Sequence, residues 1–279
     1  MPELPEVEYV RRRLARWKVG GDIASASTTD ARIVRPASPR AFVRAVRGRT
    51  VLAVERRGKW LRLSLDAGPH LFVHLGMTGW FEHPRGADPS NPHGSKGGAT
   101  GDHLRFERVR FVVERHGRTS GVVYVDPRRW GRMILASDEE GPFAELGPDP
   151  LSDGIDLAEL AQALTRRKRQ SIKEALMDQR VLAGVGNIQA IEALWKARID
   201  PRRPARTLDR LELARVASGL RWTIARTLEG LEAGEETASP FRVYGRAGLP
   251  CPRCKTRLER IVLGGRTTTF CPRCQPASS

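Results

Sequence analysis

Four cysteines close the chain in two pairs, Cys251 with Cys254 and Cys271 with Cys274, in the pattern C-x2-C-x16-C-x2-C. Four thiolates at this spacing make a tetrahedral soft-ligand set suited to zinc. A closed four-sulfur shell leaves no open coordination position, so the metal is structural rather than catalytic. Two disulfides are the alternative; a reducing compartment and two-residue loops favour chelation. Between the pairs, RLERIVL, then GG, then RTTTF reads as a hairpin with Arg266 beside Gly264 and Gly265 at its turn. Arg253, Arg257, Arg260, Arg266 and Arg273 make the module basic. A rigid hairpin carrying arginine suits insertion into a DNA groove or docking against phosphates. A second candidate is Gly184-Val185-Gly186-Asn187, set between two helical patterns. Glycines there allow a tight turn and close approach of backbone to a ligand. Asn187 is expected at the N-cap of the following helix, whose free amides bind anions. The third is the start of the chain, where Pro2, Glu3 and Glu6 crowd ahead of an amphipathic run.

Elements must hold these groups. Residues 5–18 predict a helix, with Pro5 at its first position, Glu6 and Glu8 at the positive end and Arg11 to Arg16 later. From about 23 to 136 the pattern is β-rich: TVLAVERRGKWLRLSL, HLFVHLGMTGWF, LRFERVRFVVE and SGVVYVD are alternating or β-branched runs. A Gly/Pro/Ser-rich surface loop, HPRGADPSNPHGSKGGATGDH, separates two of them, and its GSKGGATG lacks the spacing of a phosphate-binding loop. LGPDPLSDG at 146–154 reads as a linker. Helical patterns follow in IDLAELAQALTRRK, SIKEALMDQR, IQAIEALWKARI and LDRLELARVASGLRWTIARTLEGL. In the last, Leu208, Leu211, Val216, Leu220, Ile224 and Leu228 approximate one apolar face. Three segments are expected: 1–145, β-rich with an N-terminal helix; 146–234, helical; and 235–279, the metal module.

The chain has 279 residues, 48 basic against 32 acidic, for a net charge of +16. Such an imbalance points to a polyanionic partner, most often nucleic acid. Aromatics make up only 6%, too few for a broad single-strand stacking platform. No apolar stretch is long enough to span a membrane, and Glu3, Glu6 and Glu8 interrupt any signal-peptide core. A cytoplasmic, membrane-free monomer is expected, nucleoid-associated if bacterial.

Together MPELPEVE, RRGKW at 56–60, HLGMTG at 74–79, DPRRWG at 126–131, LMDQRVLAGVGNI at 176–188, VYGR at 243–246 and the hairpin ending RTTTFCPRCQ run along almost the whole chain. In these the sequence resembles the formamidopyrimidine-DNA glycosylases, bifunctional base-excision repair enzymes related to endonuclease VIII. The resemblance implies an α+β fold: an N-terminal β-sandwich, a helical domain with a helix-two-turns-helix motif, and a zinc-finger β-hairpin. It also implies damaged double-stranded DNA as partner and one structural zinc ion as cofactor. By the same resemblance, removal of Met1 frees Pro2 as the nucleophile. A free α-amine has a pKa of about 7.7–8.0, so a usable fraction is neutral near pH 7. Being secondary, the proline amine condenses with a deoxyribose aldehyde to an iminium that stays cationic and promotes elimination. Glu3 is implied to protonate the sugar ring oxygen, and Glu6 to help position the amine. Lys59 is implied to bind phosphate and support catalysis, and Arg266 is counted with it among the catalytic residues. Lys173 and Asn187 match residues gripping the phosphates beside the lesion, and His103 a DNA-contacting histidine. Met77, Arg128 and Trp130 match the three residues that fill the space left by the flipped base, with Trp130 in place of the usual phenylalanine.

Two departures bear on the lesion. Only EAGEETASPFR, 232–242, stands where the family carries an extended loop over the flipped oxidised purine. GNIQAIE also replaces the usual GNIYASE, putting Gln189 and Ile191 where tyrosine and serine are expected. The expectation is a glycosylase that removes oxidised or ring-opened bases and cleaves the abasic strand by β,δ-elimination. The alternatives are an endonuclease VIII-like preference for oxidised pyrimidines or abasic sites, and a non-catalytic zinc-containing DNA-binding protein.

Overall fold

The computed structural model describes residues 2–83, 103–138, 140–234 and 241–277. Two compact units emerge. One comprises Met1–Pro2, Glu6–Ala144 and Leu231–Glu236; the other comprises Glu3–Pro5, Glu145–Gly230 and Thr237–Ser279.

Helix α1, Leu4–Lys18, carries Glu6 in its first turn and Arg16 and Lys18 in its last, matching its macrodipole. Its apolar face, Val7, Val10 and Leu14, is buried. Strand β1 is Asp22–Thr28, and helix α2 is Pro39–Val46. Strands β2 (Val51–Arg57), β3 (Trp60–Leu65), β4 (His70–His74), β5 (Trp80–Glu82), β6 (Glu107–Arg115), β7 (Arg118–Val125) and β8 (Arg132–Ala136) follow. They form two antiparallel four-stranded sheets, ordered β1-β6-β7-β5 and β2-β3-β4-β8. Strand β3 alternates half-buried and buried residues, as expected of a strand with one face on a core. Ile23, Phe111, Val113 and Val122 from one sheet share a single core with Val54, Leu61, Leu71 and Val73 from the other. This is the expected β-sandwich. Helix α2 lies within the β-rich stretch 23–136 and is not singled out by its pattern. Ser38 caps it by accepting from the Ala41 N–H, Pro39 pre-sets its first turn, and Phe42 and Val46 bury one stripe.

In the second unit, Asp156 caps α3 (Leu157–Thr165), and a reciprocal Ser171–Glu174 capping box starts α4 (Ile172–Met177). Helices α5 (Asn187–Ala197) and α6 (Arg210–Glu232) pack on them. Leu160, Leu176, Val181, Val185, Leu194, Leu213, Val216 and Leu220 form the core. The α6 face differs from the predicted one. Leu211 is 74% exposed, and Leu213 and Ala217 take the inward places. A helix starting at Arg210 rotates Leu211 outward. Strands β9 (Glu259–Leu263) and β10 (Arg266–Phe270) make the predicted hairpin in register, Arg266 opposite Leu263. Ile191 and Trp195 of α5 pack with Val243, Cys251, Leu258 and Cys271, seating the cysteine module on that helix. Among the described residues no helix is long and apolar enough to cross a membrane.

Candidate functional site

Asn187 is the first residue of α5, and Gly186 holds the N-cap position without a side chain to cap with. The cap comes from the far end of the chain. Glu3 Oε1 accepts from the Ile188 N–H at 2.9 Å, and Oε2 from the Gln189 N–H at 3.0 Å. Glu3 is fully buried. A carboxylate at a helix N-terminus meets both its free amides and its positive dipole end. The Leu4 N–H donates to the Gly184 carbonyl at 3.1 Å, tying the two segments together. This explains the glycines. Gly184 has φ +89°, and a Cβ there would press on Leu4; a Cβ on Gly186 would collide with the Glu3 carboxyl. Sequence reasoning gave that close approach to a ligand, whereas the structure gives it to the chain's own N-terminus. Gln179 fixes the loop by donating to the Met177 and Val185 carbonyls and accepting from the Gly184 N–H.

Lys173 stands on α4, fully buried, and its Nζ has no hydrogen-bond partner among the described residues. Burial, followed by the charge of Arg266, pulls its pKa down to about 8, opposed by Glu174 and Glu3. Glu3, Lys173 and Arg266 therefore act on one another in one place. Asn187 completes the group: its Nδ2 donates to the Thr267 carbonyl of β10 at 3.1 Å, while its buried Oδ1 has no partner. At the hairpin turn a Cβ on Gly264 would meet Glu174 Oε1 at 3.0 Å, so the turn seats directly on α4. Arg266 itself is exposed. Four of the expected residues thus converge on an amide-rich, cationic corner.

The cysteines form a closed cluster. All four Sγ atoms lie within 4.8 Å of one another, Cys254 and Cys271 at 3.4 Å and Cys251 and Cys274 at 4.0 Å. Zinc with sulfurs at ~2.3 Å sets tetrahedral edges of about 3.8 Å. A disulfide requires ~2.05 Å, and the four thiols are free. The donor set therefore fits one zinc ion. Burial opposes ionisation of Cys251, but hydrogen bonds led by the Cys254 and Arg253 N–H groups lower its pKa. Arg253 lies over the Trp195 ring at 4.2 Å and donates to the Trp195 carbonyl, clamping the module to α5.

In the β-sandwich unit, Met77 lies in the turn after β4, and Arg128 and Trp130 lie in the turn before β8. Asp126, fully buried, joins the two turns. Its carboxylate accepts from Thr78 Oγ1 at 2.6 Å and from the Trp130 and Gly131 N–H groups at 2.8 Å each, with the Arg128 N–H at 3.2 Å. Trp130 is 56% exposed, with the Arg128 guanidinium 4.3 Å from its ring centroid. A turn held by so many hydrogen bonds is pre-ordered. Arg129, the other arginine of the turn, adopts φ +57° and pairs with Asp30 at 3.0 Å.

Lys59 follows Gly58 in the β2–β3 turn. Beneath it, Glu8 accepts from Arg11, Arg12 and Arg56, and Arg56 also donates to the Gly58 carbonyl at 3.3 Å. Burial and then the charges of Lys59 and Arg132 lower the His74 pKa to about 4, so His74 is neutral at pH 7 and its Nδ1 accepts from the Gly76 N–H. Pro2 is half-buried, and Glu6 stands in the first turn of α1. The His103 side chain and residues 235–240 of the short loop lie outside the described residues. The return from that loop is fixed by Glu192, which is buried and accepts from the Arg242, Val243 and Tyr244 N–H groups.

Sequence reasoning missed Glu8, Asp126, Gln179 and Glu192. Each is a polar residue inside a recognised motif whose role depends on backbone groups or on a charge cluster that the motif does not display. The two family departures resolve differently. Ile191 is a core residue against the cysteine module. Gln189 is buried, donating to Glu3 through its backbone and to Thr227 through its side chain.

Comparison with known proteins agrees along the full chain. Residues 1–133 match the formamidopyrimidine-DNA glycosylase N-terminal domain, 146–239 its H2TH domain, and 248–277 a zinc finger found in FPG and IleRS. The chain is 39% identical to the formamidopyrimidine-DNA glycosylase of Laribacter hongkongensis over 292 residues, covering 99% of this chain and 100% of that protein. It is also 39% identical to the Thermus thermophilus protein of the same name, covering 99% and 98%. Among solved structures, MutM (Fpg) from Thermus thermophilus superposes with a TM-score of 0.77 at 37% identity, covering all of both chains. Lactococcus lactis Fpg, non-covalently bound to DNA containing an abasic site, gives 0.82 at 27% identity, covering 99% and 100%.

Proposed function

The chain belongs to the formamidopyrimidine-DNA glycosylase family, and from that premise we propose which of its residues carry each step. The protein is a base-excision repair glycosylase with abasic-site lyase activity. With Met1 removed, the Pro2 nitrogen bonds to C1′ of a flipped nucleotide as the glycosidic bond breaks and its electrons leave with the base. The ring C1′–O4′ bond then opens. The Glu3 carboxylate takes the amine proton and delivers it to O4′, leaving a C1′=N⁺ iminium. Loss of a C2′ proton into this sink expels the 3′-phosphate, and a second elimination expels the 5′-phosphate. Water finally hydrolyses the iminium and frees Pro2.

The buried Glu3 carboxylate capping α5, one residue from Pro2, carries this reading. Two amide hydrogen bonds fix the carboxyl at the N-terminal end of α5. Lys173, Asn187 and Arg266 hold lesion-strand phosphates, and Lys59 binds phosphate in support. Met77, Arg128 and Trp130 occupy the space the base leaves. Zinc, held by Cys251, Cys254, Cys271 and Cys274, fixes the hairpin that presents Arg266.

Flipping a base costs a few kcal/mol, which contacts in a closed pocket must offset. With only six residues between Gly234 and Phe241, loop contacts offset less of that cost here than in relatives with a long loop. Abasic-site cleavage and ring-opened purine removal therefore exceed 8-oxoguanine removal. Single-turnover assays on matched duplexes, each with one lesion opposite cytosine, test this. Equal rates for 8-oxoguanine and the ring-opened purine refute the short-loop argument.

A further inference from the structure

Beside Trp130 lies a pocket of about 700 Å³ lined by Arg32, Arg35, Arg129, Trp130, Arg132 and Ile134, with no carboxylate among its lining residues. We propose that Arg32, Arg35 and Arg132 form a second phosphodiester-binding site of the duplex, separate from the Lys173 corner. This rests on the reading that Trp130 enters DNA.

The pocket is built rather than a loose charged surface. Asp30, buried at its base, accepts from the Arg32 N–H at 3.1 Å and pairs with Arg129 at 3.0 Å. The Asp30 N–H donates in turn to Thr28 Oγ1, and that hydroxyl to the Arg108 carbonyl. The Met133 N–H meets the Ile33 carbonyl at 2.6 Å, stitching β8 to the Arg32 segment. Arg129 is thereby consumed as a strut. The guanidiniums of Arg32, Arg35 and Arg132 are exposed, and none has an ion-pair partner among the described residues. Gathering three guanidiniums beside a fourth costs free energy through like-charge repulsion, and an anion relieves it. Planar, always-charged guanidiniums match phosphate oxygens two at a time. Asp126 locks Trp130 into the same turn, so an aromatic that parts the bases and cations that hold the backbone move as one body. A wedge entering a duplex has backbone on both flanks. The ligand is therefore a DNA backbone phosphate, of either the damaged strand or its complement.

The test measures the salt dependence of binding to an abasic-site duplex. Each lost phosphate contact lowers the log–log slope by about one. The triple variant Arg32→Gln, Arg35→Gln, Arg132→Gln is expected to lower it by between about one and three. The control is Arg40→Gln, Arg44→Gln, Arg47→Gln, which removes three exposed arginines of α2 and its C-cap and the same charge. Its slope should stay at the wild-type value. Equal losses in both triples would show a diffuse charge effect and overturn the site, as would no loss in the first. Scanning single methylphosphonates along each strand with the wild-type protein gives an independent readout. A position that weakens the wild type but not the triple variant identifies the phosphate and its strand; no such position in either strand overturns the proposal. Borohydride trapping of the wild type on the same duplex separates the two readings. A Pro2 adduct with an unchanged slope sinks only this site, whereas no adduct sinks the catalytic reading.

Discussion

Replacing Glu8 by glutamine strips a buried carboxylate from beneath the Lys59 turn. Glu8 is 7% exposed at its side chain and accepts from Arg11, Arg12 and Arg56. Burial alone would raise its pKa, but the three guanidiniums bring it from 4.5 to about 2. At ~1.36 kcal/mol per unit, that shift corresponds to about 3 kcal/mol of folding free energy. Arg11 and Arg12 are 31% and 40% exposed and turn to water when Glu8 is lost, whereas Arg56, at 2%, is stranded. Stranding one buried charge costs ~3–5 kcal/mol, so the low end of that range agrees. Urea unfolding at pH 7 reads the effect. With a slope of ~1–3 kcal/mol per molar, the midpoint falls by about 1–3 M. The pH dependence has a definite sign. Because the folded pKa is depressed, the contribution is full above pH 4.5 and is lost as pH falls through about 2. The gap between wild type and variant must narrow across that window. Unchanged midpoints, or a gap that persists to pH 2, would refute the electrostatic account of Glu8.

Lys173 titrates near pH 8 in the free protein because it is buried beside Arg266, with Glu174 and Glu3 opposing. A bound phosphate keeps it protonated, so DNA affinity should fall about tenfold between pH 7 and 9, and Lys173→Arg should abolish that dependence. Asp126→Asn leaves at least one buried donor of the wedge unsatisfied, at about 1–3 kcal/mol each. The expected result is a lower unfolding midpoint and a weaker fluorescence signal from 2-aminopurine opposite the lesion; normal flipping would detach Asp126 from the wedge. Cys254→Ser should lose the zinc ion on metal analysis and most DNA affinity while the β-sheet circular dichroism persists. Retained zinc would contradict the four-sulfur site.

Much of this molecule is legible in the sequence because the signals are local. The cysteine spacing, the GG between two short strands and the three-four periodicity of the helices need no distant partner. The β-rich character of 23–136 follows from alternation such as that of β3, whereas the sandwich is what the family resemblance implies. Helix α2 had local signals too, Ser38-Pro39 followed by Phe42 and Val46, but they are brief and lie within strand-like composition. The site was legible as residues rather than as geometry. Nothing in the pattern GVGN shows that Glu3, more than 180 residues earlier, caps that helix. Nor does DPRRWG show that its aspartate accepts from Thr78, Arg128, Trp130 and Gly131 while its two arginines diverge, one stacked on Trp130 and one spent on Asp30. Such facts depend on tertiary proximity, which residue types and spacing do not encode directly.

The central claim is that Pro2 is the nucleophile and Glu3 its proton donor, and the most direct measurement is borohydride trapping on an abasic-site duplex. The adduct should map by mass spectrometry to an N-terminal peptide beginning at Pro2. Pro2→Gly, or a protein retaining Met1, should lose most of it, and Glu3→Gln should bind the duplex but trap poorly. Undiminished trapping by Pro2→Gly, with the adduct on a lysine such as Lys59, would contradict the account.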